Sequence, residues 1–82
     1  MKAGDVYKTS NNQVRIVLGF TPDGRVGYAS RGGNTRLDYT NCETSSTERF
    51  EGAAQFDHDA SPGELARVRV LFDEWMQANG VT

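Results

Sequence analysis

The chain has 82 residues, with nine Lys or Arg, eleven Asp or Glu, one histidine and one cysteine, for a net charge of −2. That length points to one domain, which buries only about 60–65 % of the surface its unfolded form exposes and has little room for a catalytic cleft; the lone cysteine excludes an internal disulfide and a multi-cysteine zinc site. No run of about 18 apolar residues could span a bilayer, and Met1-Lys2-Ala3-Gly4-Asp5 lacks the apolar stretch of a signal peptide, so a soluble, cytoplasmic protein in a reducing compartment is expected.

In chain order, Gly4-Asp5 opens a short strand, Val6-Tyr7-Lys8-Thr9, in which Val6 and Lys8 face one way and Tyr7 the other, toward an expected surface cleft. Ser10-Asn11-Asn12 is a turn, because asparagine tolerates left-handed dihedrals. Gln13 to Phe20 is the strongest strand, with Val14, Ile16 and Leu18 on one face and Arg15, Val17 and Gly19 on the other. Its apolar residues exceed strict alternation, which predicts a central or strongly bent strand. Thr21-Pro22-Asp23-Gly24 has the chemistry of a tight reversal. Arg25 to Ser30 returns with Val26 and Tyr28 on one side; on the other, Gly27 and Ala29 leave room for something bulky, a strand or the helix. Arg31-Gly32-Gly33-Asn34 is a further turn, and Thr35 to Thr40 a further alternating strand.

The segment 41–60 is ambiguous. Ser45-Ser46-Thr47-Glu48 offers a capping box for a short helix bearing Phe50, Ala53 and Ala54, whereas Phe50, Gly52, Ala54 and Phe56 also share a face at period two. The preferred reading is a short helical turn, then extended Gln55-Phe56, with Asp57-His58-Asp59 as a linker; a full fifth strand is the alternative.

The C-terminal helix is the best-signalled element. Ser61 and Glu64 form a capping box, Pro62 occupies the first helical position, and Asn79-Gly80 marks the stop. Leu65, Val68, Leu71 or Phe72, Trp75 and Met76 gather on one face at spacings of three and four, while Val70 lies toward the polar side. At 1.5 Å per residue, 62–79 is roughly 27 Å long. Together these elements make an α+β domain: a small, strongly bent antiparallel sheet, an SH3-like partial barrel, over 5–40, closed by the C-terminal helix, with helix on a flatter sheet as the alternative. The progression Gly4-Asp5-Val6-Tyr7, Gln13 to Gly19 and Arg25 to Ser30 resembles that of short SH3-like barrels, a likeness of fold that carries no residue-specific function.

The chemistry-bearing residues give no enzyme motif. His58, between Asp57 and Asp59, projects away from both on an extended backbone, so the three do not converge on a metal. Cys42 reads as a small buried hydrophobe near a strand end. Arg31-Gly32-Gly33-Asn34 is not followed by a helix carrying Lys-Ser or Lys-Thr, which excludes a nucleotide-binding loop. No cofactor and no metal are expected. Charge is uneven: six basic residues stand against three acidic ones through Cys42, and three against eight from Glu43 onward. Such asymmetry means two surfaces with different partners, or two halves that attract each other. The candidate interaction residues are Tyr7, Arg15, Arg25, Arg31, Arg36 and Val70. The function read from them is a small protein-interaction or regulatory module that binds a protein partner or forms a homodimer. The alternative is nucleic-acid binding, with arginine forks on phosphates and Tyr7, Tyr28 and Tyr39 stacking on bases.

Overall fold

The structure, a computed structural model, describes residues 1–33, 39 and 41–78. Its elements are β1 (Asp5–Thr9), β2 (Gln13–Phe20), β3 (Val26–Gly32), β4 (Asn41–Ser45), α1 (Thr47–Ala53), β5 (Ala54–Asp59) and α2 (Pro62–Ala78). All strand pairs are antiparallel, in the order β4-β3-β2-β1-β5. The first four strands form a meander, and β5 returns beside β1. Among the described residues β4 and β5 are the two edges, so the sheet is open there and closure into a barrel is not seen.

The turns form where short-range chemistry directs them. Asn12 adopts φ 63° and its N–H donates to the Thr9 carbonyl at 3.1 Å, a left-handed conformation that asparagine accepts at little cost. Gly24, at φ 85°, closes the second turn onto the Thr21 carbonyl at 2.9 Å. The Thr21 hydroxyl accepts from the Arg25 N–H and bonds the Asp23 carboxylate. The strand expected at 35–40 falls outside the described residues except for Tyr39, as do the stop signals Asn79 and Gly80. Segment 41–59 resolves into a strand, a seven-residue helix and a full edge strand. This is the preferred order, a short helix and then an extended segment; the alternative of a strand running from Phe50 to Phe56 does not form, because Phe50 and Gly52 lie in α1, and the extended part is longer than Gln55-Phe56. The N-cap is Ser46, whose hydroxyl accepts from the Arg49 N–H, one residue beyond the expected Ser45.

Both faces of the sheet are covered. On one, Val6, Val14, Ile16, Leu18 and Ala29 pack with Tyr39 and with Val68 and Trp75 of α2. On the other, Tyr7, Val17, Val26 and Tyr28 pack with Phe50 of α1 and Ala54. This second layer corrects the expectation for Tyr7, which is 8 % exposed and meets the Phe50 ring edge-on at 4.9 Å rather than lining a cleft. Leu18 has no partner in the β2–β3 register, where Val17 faces Tyr28 and Gly19 faces Gly27. The bulge bends the strand and carries Gly19 onto the α2 face, opposite to its expected side; a Cβ there would lie 2.9 Å from the Trp75 indole nitrogen. Gly27 is still closer, 2.2–2.6 Å from three atoms of the same ring. The bulky neighbour anticipated above Gly27 is therefore Trp75.

α2 is anchored more narrowly than its apolar stripe suggests. Only Val68 and Trp75 are buried, Leu71 and Phe72 pack partly against the core, and Leu65 and Met76 are each 39 % exposed. A straight helix touches a twisted sheet along a line, so residues at the margins of the stripe remain in solvent. No helix among the described residues is long and apolar enough to cross a membrane.

Candidate functional site

The expected arginine constellation divides between the two faces of the sheet. Arg15 and Arg25, joined by Arg49 from α1, line a depression of about 240 Å³ together with Tyr28, Thr44 and Ser45. Arg49 was not among the expected residues; it arrives because the cap at Ser46 turns the chain back over the sheet, a placement that only the route of α1 determines. Arg31 lies on the opposite face, opposite Val14 in register, with its guanidinium carbon 5.5 Å from the centre of the Tyr39 ring. Arg36 is outside the described residues. Val70 is 69 % exposed on α2 and belongs to neither set.

Arg15 is held in place before any ligand arrives. Its guanidinium sits 4.9 Å from the Tyr28 ring centre and 5.7 Å from that of Phe50, a cation–π arrangement. Its Nε donates to Gln13 Oε1 at 2.7 Å, which leaves the terminal N–H groups of the fork for other acceptors. The Tyr28 hydroxyl donates to Glu43 Oε2 at 3.0 Å. Burial, reinforced by that bond, pushes the phenol above its ordinary range, so Tyr28 stays neutral. Arg25 and Arg49 are exposed. Among the described residues, no carboxylate forms an ion pair with Arg15, Arg25 or Arg49. Tyr28 and Tyr39, at 6 % exposed each, are core residues like Tyr7.

A second polar cluster joins β5 to α2. His58 and Phe56 would share a face on a regular strand, but the register opposes Tyr7 to Phe56 and Val6 to His58, skipping Asp57. The bulge turns His58 toward α2, where Nε2 lies 2.9 and 3.0 Å from the two oxygens of Glu64 and Nδ1 lies 2.5 Å from Asp57 Oδ2. Glu64 keeps its capping role, accepting from the Ser61 N–H at 3.1 Å, while its own N–H donates to the Ser61 hydroxyl at 3.3 Å. The linker expected at 57–59 is thus a strand end clamped to the helix start. Among the described residues, no group of three His, Cys, Asp or Glu side chains is arranged to hold a metal ion.

Hydrogen bonds donated to Asp57 and then to Glu64 raise the His58 pKa above its ordinary 6.5. The His58 bond lowers Asp57; for Glu64, burial acts upward but is outweighed by the Ser61 and His58 bonds, and its pKa also falls. A raised histidine contributes stability that is full below about pH 6.5 and disappears as pH rises through its folded value; the depressed carboxylates contribute above about pH 4.5 and lose it in acid. The fold should therefore be more stable near pH 5.5 than near pH 8.5. Urea unfolding at both values will check this, since His58→Gln should abolish the difference; a difference that persists in that variant rules out the clamp as its source.

The N-terminus is secured likewise. Lys2 Nζ lies 2.6 Å from both Asp5 Oδ1 and Asp59 Oδ1, and Lys8 is 3.8 Å from Asp57. The Lys2–Asp59 and Lys8–Asp57 pairs join the basic first half to the acidic second half, so part of the uneven charge serves attraction within the fold. Cys42, expected to be buried, is exposed on edge strand β4, and desolvation followed by the Glu74 charge pushes its thiol pKa up, away from nucleophilic character. On the outer side of α2, Pro62, Leu65, Ala66, Arg69 and Phe72 line a shallow apolar groove of about 460 Å³.

Comparison with known proteins adds no assignment: no family model, no curated protein and no solved structure matches this chain.

Proposed function

We propose that the protein is a small interaction module of SH3-like character that docks an acidic group of a protein partner in the Arg15–Arg25–Arg49 depression. The observation that carries this reading is the gathering of three guanidiniums around one hollow without a paired carboxylate among the described residues. Guanidinium forks grip oxyanions bidentately, and a fork already stacked on aromatic rings loses less freedom on binding. The bent meander with a returning fifth strand supports the SH3-like description. Nucleic acid is the weaker reading, because the three tyrosines that would stack on bases are buried and the chain carries a net −2, which repels an extended phosphate backbone.

Titration of the ¹⁵N-labelled protein with a glutamate-rich peptide at low salt tests the proposal. Shifts should concentrate on Arg25, Thr44, Ser45 and Arg49, weaken with added salt, and fall at least about tenfold in apparent affinity in an Arg25→Ala/Arg49→Ala variant. Both side chains are exposed, so the variant should remain folded. An absence of shifts at the depression, or shifts confined to the outer side of α2, overturns the reading.

A further inference from the structure

Resting on that reading, we infer that the docked group is a phosphate monoester carried on an extended peptide, a phosphoserine or phosphothreonine, which adds along the β4 edge while its phosphate enters the depression. Charge balance is the first argument. Three arginines surround the hollow, and among the described residues the one carboxylate bonded to its lining is Glu43, held by the Tyr28 hydroxyl. The local balance of +2 is neutralised by a dianion and only half met by a carboxylate. A phosphomonoester carries about −1.5 to −2 at pH 7 and three terminal oxygens, enough acceptors to engage more than one arginine fork.

The second argument is position. Thr44 and Ser45 line the depression and belong to β4, a terminal strand of the sheet. Cys42, Glu43 and Thr44 are all exposed. An edge strand offers unpaired backbone N–H and C=O groups to a further extended segment. A strand laid there runs beside the arginines, so one side chain can reach the hollow while the peptide backbone is held by the sheet. The Ser45 hydroxyl already donates to the Ser46 carbonyl at 3.0 Å, which leaves the arginine forks as the donors for the phosphate.

The full chain should be titrated, by amide and arginine Nε shifts, with four probes. These are a phosphoserine-centred peptide with degenerate flanks, the same peptide with glutamate at the centre, inorganic phosphate, and a 5′-phosphorylated single-stranded oligonucleotide. The expected result is at least about tenfold tighter binding of the phosphopeptide than of the glutamate peptide or inorganic phosphate, with shifts along the β4 amides. Arg49→Ala and Arg25→Ala should each lower that affinity while the remaining spectrum stays dispersed. Equal affinity for the phospho and glutamate peptides overturns the phosphate assignment and leaves the acidic-docking reading standing. Inorganic phosphate binding as tightly as the phosphopeptide overturns the peptide assignment, tighter oligonucleotide binding transfers the site to nucleic acid, and no binding by any probe overturns both this inference and the reading beneath it.

Discussion

Replacing Trp75 by alanine should cost about 3–5 kcal/mol, a large part of the stability of so small a fold. The indole is 5 % exposed and is one of two buried side chains by which α2 holds the sheet. It can lie so close only because Gly27 and Gly19 present no side chain beneath it. Gly27→Ala should therefore also destabilise, by about 1–3 kcal/mol, because the new methyl meets a rigid ring rather than a movable side-chain end. The two losses are coupled: once the ring is gone, the methyl has space, so the double variant should lose less than the sum of the singles. Urea unfolding followed by far-UV circular dichroism measures all three, independently of tryptophan emission. Strict additivity, or a Trp75→Ala cost below about 1 kcal/mol, is incompatible with this packing.

The second large effect is expected on the other face of the sheet. Phe50 is the one buried residue of α1, 1 % exposed, with the Tyr7 and Tyr28 rings at 4.9 and 5.0 Å. A seven-residue helix is far too short to persist by itself and depends on such an anchor. Phe50→Ala should cost about 3–5 kcal/mol and raise amide exchange first in α1, where few other contacts resist opening. The same ring helps position Arg15, so a Phe50→Leu variant, which keeps most of the apolar volume, should preserve the fold better than it preserves anion binding. Unchanged exchange in α1 after Phe50→Ala would show that something else holds the helix down.

The elements that were legible in the chain rest on interactions a few residues long. The turns at Asn12 and Gly24, the Ser61–Glu64 capping box and the start of α2 at Pro62 each follow from a side chain or dihedral acting on its immediate neighbours. The α+β class followed from hydrophobic period together with those turn and capping signals. Misreadings arose where a bulge interrupted that period. At Leu18 it moved Gly19 to the α2 side, and at Asp57 it brought His58, expected to project away from its flanking aspartates, against Asp57 and Glu64, since one extra residue inverts every subsequent face.

The site shows the same division. Arg15 and Arg25 could be placed on or beside paired strands from alternation and turn chemistry, and the small residues at Gly27 and Ala29 announced a bulky neighbour without naming it. Only the tertiary structure decided that the neighbour is Trp75, that Tyr7 lies beneath α1, that Arg49 completes the basic hollow, and that Glu64 serves both the helix cap and His58. The physical reason is chain distance: local conformation is set by steric and hydrogen-bond terms within about four residues, whereas which face is covered and which charges converge depends on how distant segments cross the sheet.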